Sequence, residues 1–182
     1  MKLFPLALVS ALLLQSCLDY GTRQPVAGIL PYSAGARTWV VLPDTQTYMK
    51  DDGRLAVLEE SLQWIARERD SRRIEAVLQV GDIVDDNSPV QWDRARKAFS
   101  ILDGVVPVLL APGNHDMGPE GLGGDRDTSL FNSHFGPGKN PSTDAIARSA
   151  FEPGKIDNVA YELGIVDGSP TLVFALEFGP RD

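Results

Sequence analysis

Between residues 37 and 110, three short apolar runs alternate with two stretches of helical periodicity, and this order leaves few folds open. Arg37–Leu42 is rich in β-branched residues and stops at Pro43, which reads as a buried strand followed by a loop. Leu55, Leu58, Leu62, Ile65 and Ala66 then recur at helical spacing from about Asp52 to Asp70, with Arg and Glu between them. Ile74–Val80 is a second strand closed by Gly81. Pro89 suits the first turn of a second helix, which puts Trp92, Ala95, Phe99 and Leu102 on one face. Val105–Leu110 is a third strand, ending at Pro112-Gly113. Strand, helix, strand, helix, strand predicts a parallel sheet with right-handed crossovers, an α/β fold. In such sheets ligands bind beyond the carboxyl ends of the strands, so the three strand-to-loop junctions should line one crevice.

Composition narrows the partners. The chain has 182 residues, 25 acidic against 17 basic, a net charge of -8, 43% hydrophobic residues and one cysteine. That is enough apolar material for a folded domain, and it excludes disorder and disulfide scaffolds. A pI near 4.7 without a basic run argues against binding a nucleic-acid backbone, since that affinity comes mostly from Lys and Arg. An acidic protein that handles phosphates needs metal ions to do it.

The first residues have the pattern of a targeting segment. Met1-Lys2 supplies a positive charge, Leu3–Leu14 is apolar apart from Pro5 and Ser10, and Leu14-Gln15-Ser16-Cys17 follows. This resembles a bacterial lipoprotein signal: residues 1–16 would be removed and Cys17 would be diacylated as the new N-terminus. An ordinary secretory signal or a buried free thiol is the alternative. Residues 17–35 then read as a lipidated cysteine and tether punctuated by Gly and Pro, and 36–182 as the folded domain. Several acyl chains on one cysteine give stable membrane anchoring. Leu18 after the cysteine resembles lipoproteins sent to the outer membrane of Gram-negative cells, which implies an exported, periplasmic or cell-surface location.

The three junctions hold the informative residues: Pro43-Asp44-Thr45-Gln46, then Gly81-Asp82-Ile83-Val84-Asp85-Asp86, then Gly113-Asn114-His115-Asp116. Taken singly, each reads as a cap, a turn or loop polarity. Together they bring carboxylate and amide oxygens to one end of a sheet, where like charges need a divalent cation. On these residues the chain resembles the calcineurin-like metallophosphoesterases, which carry Asp-x-His, Gly-Asp-x-x-Asp and Gly-Asn-His-Asp/Glu at successive strand ends. The resemblance implies the N-terminal part of a four-layer αββα sandwich and two divalent ions, Mn, Fe, Zn or Mg. It implies that Asp82 bridges them, that Asp44 binds the first, and that Asn114 binds the second. It also implies that His115 protonates the leaving alkoxide or stabilises the transition state, with Asp85 and Asp116 orienting neighbours. Two metals would activate a water and hydrolyse a phosphomonoester or phosphodiester substrate without a covalent nucleophile.

Two departures qualify that reading. Gln46 stands where the family usually has a histidine, and a branch resembling this chain carries Gln there, so Gln46 is expected to be a weak or water-mediated ligand. The chain has only two histidines, His115 and His134. The family's downstream His and Gly-His-x-His therefore have no counterpart. His134 lies in Leu130–Gly136, which reads as a short helix ending at glycine, where a structural role outweighs metal or substrate contact. Met117–Asn158 reads as a long loop that either shapes the substrate pocket or is a mobile insertion. Val159–Leu163 and Thr171–Leu176 read as strands joined through Asp167-Gly168. The chain is expected to be a fragment covering the first part of the catalytic domain, with an exposed apolar face on the second sheet. A catalytically inactive lipid-anchored binding module, or a decayed-gene product, is the alternative. Oligomeric state is left open.

Overall fold

The computed structural model describes residues 35–166 and 168–179. The leader, Cys17, nearly all of the tether and the Asp167 turn position lie outside the described residues. From Arg37 onward the chain forms one compact unit. Strand β1 (Thr38–Leu42) is followed by a short 3-10 turn (Gln46–Met49) and helix α1 (Asp52–Glu68). Then come β2 (Ile74–Gln79), α2 (Pro89–Phe99) with a 3-10 continuation (Ser100–Leu102), and β3 (Val108–Leu110). The strands pair in parallel in the order β1-β2-β3, with Val40 opposite Val77 and Val77 opposite Val108.

Each helix forms where the sequence provides both a start and a face. The Asp51 carboxylate accepts the Arg54 N–H at 2.9 Å, capping α1. Leu55, Leu58, Leu62 and Ile65 bury one side of it against the sheet. Pro89 opens α2, which buries Trp92, Ala95 and Phe99 as expected, and Leu102 follows buried in the 3-10 turn. Strand β3 is shorter than predicted. The N–H groups of Val105 and Val106 both bond to the Leu102 carbonyl and so finish the helix turn instead of joining the ladder.

The segment after β3 carries more regular structure than a loop. It contains α3 (Ser129–Phe135), α4 (Pro141–Asp144) and β4 (Ala147–Ala150), then β5 (Val159–Val166) and β6 (Ser169–Ala175). Strand β4 escaped the sequence reading because Ala-Arg-Ser-Ala has no apolar alternation. All four of its residues are exposed, and pairing with β5 holds it in place. Strands β4-β5-β6 form an antiparallel sheet. Its inner residues Val159, Tyr161 and Leu163 pack on Ala76 and Leu109 of the parallel sheet, whose other face packs on the helices. The result is the helix–sheet–sheet portion of an αββα sandwich.

Two details correct the sequence reading. Strand β1 is not buried on both faces: Trp39 and Val41 are exposed, because the second sheet packs over β2 and β3 and leaves β1 at the edge. At the opposite edge, the Thr143 hydroxyl accepts the Val108 N–H (2.8 Å) and donates to the Val108 carbonyl (3.1 Å). A side chain thus satisfies an edge that would otherwise invite pairing.

Candidate functional site

The three junctions come together at the carboxyl ends of β1, β2 and β3, and Asp82 is where they meet. Its backbone carbonyl accepts the N–H groups of Thr45 (3.0 Å) and Gln46 (2.9 Å). Thr45 adds a hydroxyl bond to the Ile83 carbonyl at 3.2 Å, so the first loop is stitched to the second. From the third loop, the His115 N–H donates to Asp82 Oδ1 at 3.0 Å. Asp82 itself has φ +50°, a left-handed conformation uncommon for a non-glycine residue and found at sites whose surroundings over-determine it.

Glycine is what allows the second and third loops to come this close. A Cβ on Gly113 would sit 2.2 Å from both the Asp82 nitrogen and Oδ1, and one on Gly81 would sit 3.0 Å from Gly113 Cα. Just upstream, the buried Gln79 side chain donates from Nε2 to the Gly81 carbonyl (3.0 Å) and accepts the Gly81 N–H through Oε1 (2.7 Å). Sequence reasoning passed over Gln79. The available signal was a polar residue closing the apolar run Ala76–Leu78.

Asp116 is fully buried beneath the loops. Its carboxylate accepts from the N–H groups of Ile83 (2.9 Å), Val84 (2.9 Å) and Gly113 (2.8 Å), tying the second loop to the third. Burial pushes its carboxyl up to about 6; the Val84, Gly113 and Ile83 bonds oppose that rise, and the Asp82 charge adds to it. Asp85 reaches His115 through its backbone: His115 Nδ1 lies 2.6 Å from the Asp85 carbonyl. A carbonyl only accepts, so Nδ1 carries the proton and Nε2 is the ring nitrogen left for other partners. The Asp85 carboxylate instead pairs with Lys50 Nζ at 2.8 Å, a partner the sequence did not suggest.

Asp44 is exposed on the first loop, and Asn114 is half-buried on the third. Gln46 Oε1 is buried without a hydrogen-bond partner. An orphaned amide oxygen on the loop whose backbone bonds to Asp82 is costly to bury, and it suits a donor to a hard cation. Among the described residues, no group of three or more His, Cys, Asp or Glu side chains is disposed to hold a metal. The expected donors Asp44, Gln46, Asp82 and Asn114 carry two carboxylates and two amides, an oxygen-only set whose chemistry suits a hard divalent ion.

The segment after Asp116 lies against this site. A Cβ on Gly121 would fall 2.6 Å from the Asp85 carbonyl and 2.8 Å from that of His115, and one on Gly123 would fall 3.1 Å from Asn114 Cβ. His134 is elsewhere. It stacks on Trp92 (6.0 Å between centroids), with Nδ1 on the Leu130 carbonyl and Nε2 3.2 Å from Asp93. Cys17 lies outside the described residues.

An α/β sheet backed by a second sheet, with three loops bonded together beyond its strand ends, defines the class of protein. The family model for calcineurin-like phosphoesterases matches residues 38–172, and the chain belongs to that family. Its members hydrolyse phosphate esters and generally use two divalent metals. Purple acid phosphatase PPD1 from yellow lupin (Lupinus luteus) seeds is similar over 72% of this chain at 15% identity, with a TM-score of 0.42. The chain spans 23% of that protein's length. No curated protein matches it.

Proposed function

We propose that the chain is a metal-dependent phosphoesterase acting on phosphomonoesters or phosphodiesters, exported and anchored to a membrane through lipidated Cys17. The observation that carries the reading is the convergence of three loops on Asp82, with an unpartnered Gln46 oxygen on the first of them. Asp44, Gln46, Asp82 and Asn114 would hold the metal. When bound, it supplies positive charge to the phosphate oxygens and lowers the pKa of water. His115 acts on the leaving group. With Nδ1–H held by the Asp85 carbonyl, the ring in its imidazolium form would give its Nε2 proton to the departing alkoxide and be left as the Nδ1–H tautomer. Asp116 keeps the second and third loops in register, and Lys50 pairs with the Asp85 carboxylate.

The test is turnover of p-nitrophenyl phosphate and of bis-p-nitrophenyl phosphate by the full chain with added Mn2+. Hydrolysis should stop with a chelator, become undetectable in Asp82→Asn, and fall about 100-fold or more in His115→Ala. Activity that survives both substitutions would sink the site assignment. Mn2+ binding without turnover would make the chain a metal-binding module instead. Labelling of the chain by radioactive palmitate in a bacterial host, lost in Cys17→Ala, tests the anchor.

A further inference from the structure

We propose that Arg126 and Glu177 form a positioning pair that clamps the loop bearing Asn114 and His115. The proposal rests on the phosphoesterase reading of that site. Glu177 follows β6 and is 3% exposed. Its carboxylate lies 3.2 Å from Arg126 Nη2, and its N–H donates to Asn158 Oδ1 at 3.1 Å. The same Arg126 Nη2 donates to the Phe178 carbonyl at 2.5 Å. Phe178 in turn donates its N–H to the Pro112 carbonyl at 2.9 Å, directly before Gly113.

Arg126 also belongs to the segment that leans on the site from the other side. Gly118 donates its N–H to the Asp127 carbonyl at 3.1 Å, closing a loop in which Gly123 packs on Asn114. Asn87 Nδ2 donates to the Gly118 carbonyl at 2.6 Å and fastens that loop to the second junction. The end of β6, the loop 118–127 and the start of the third junction therefore bracket Gly113, Asn114 and His115. Burying the Glu177 carboxylate beside a partly exposed guanidinium carries a desolvation penalty, and apolar residues of similar volume often serve stability as well. The Arg126 Nε is itself buried without a hydrogen-bond partner, so the pair is poorly explained by stability alone. A planar guanidinium that grips a carboxylate and a carbonyl at once is suited to orientation.

Two measurements on the full chain test this: amide hydrogen exchange of the metal-free protein, and titration with Mn2+ alone. Arg126→Met and Glu177→Gln should each speed exchange across residues 112–116 while leaving α1 and β2 at wild-type rates. Both should weaken Mn2+ binding by about tenfold, with part of the affinity regained in Arg126→Lys. Should Arg126→Met fail to fold, the near-isosteric Glu177→Gln makes the same comparison. Exchange across 112–116 no faster than wild type overturns the clamp whether or not metal binds. A wild-type chain that does not take up Mn2+ overturns the phosphoesterase reading, and the exchange rates still decide the clamp.

Discussion

Gly113 and Asp116 show how much of the site depends on single atoms. An added methyl at Gly113 would collide with the Asp82 backbone and carboxylate, neither of which can move without disturbing the bonds from Thr45, Gln46 and His115. Gly113→Ala should therefore destabilise the fold by about 1–3 kcal/mol and abolish Mn2+ binding. Chemical unfolding and a metal titration of the same variant check both effects. Asp116 brings a pH dependence. Its folded pKa of about 6 lies above the ordinary 3.8, so the folded chain holds this proton more tightly than the unfolded chain does. The contribution is full below about pH 4 and is lost as pH rises through about 6, a change on the order of 3 kcal/mol. In the metal-free protein, the wild type should lose stability relative to Asp116→Asn between about pH 4 and 7 in urea unfolding. A difference that stays flat over that range would contradict the assignment.

The elements behind the site are joined by aromatic packing. Trp92 on α2 is fully buried, and its Nε1 donates to Asn87 Oδ1 at 2.7 Å. Its ring meets Phe131, His134 and Phe135 of α3 at centroid distances of 5.8, 6.0 and 6.1 Å. One side chain thus holds α3 against α2 and also fixes Asn87, which fastens loop 118–127. Trp92→Ala should cost about 3–5 kcal/mol, measurable by denaturant unfolding. His134 belongs to this packing rather than to the metal donors. His134→Ala should leave Mn2+ affinity at the wild-type value while lowering the thermal midpoint; a loss of affinity would return His134 to the site.

At the scale of the whole molecule, the two sheets cover one another unevenly. Val173 and Ala175 of β6 turn inward, whereas Leu172, Phe174 and Leu176 are 52, 62 and 54% exposed on the outer face. An apolar strip of this kind on a sheet drives self-association. Replacing Leu172 and Phe174 with threonine keeps β propensity and removes apolar surface. The double variant should sediment with less self-association than the wild type, with its unfolding midpoint nearly unchanged. Equal association in the two proteins would remove the strip as the cause.

The order of elements and the identity of the three junctions were legible in the sequence because both are written locally. Apolar spacing along a helix, a β-branched run, and glycine or proline at its end act over a few residues, and Asp44, Asp82 and Asn114 sit beside such signals. Packing decided what depends on residues far apart in the chain. That Asp116 serves backbone N–H groups of a loop 32 and 33 residues away, that Lys50 claims the Asp85 carboxylate, and that β1 lies exposed at an edge follow only once the strands are aligned. The same holds for β4, whose four residues carry no strand pattern and form one because β5 presents an edge, and for the Arg126–Glu177 pair beneath the third junction. Hydrogen bonds and excluded volume act over a few ångströms, so the fold had to bring these groups together before their chemistry could be read.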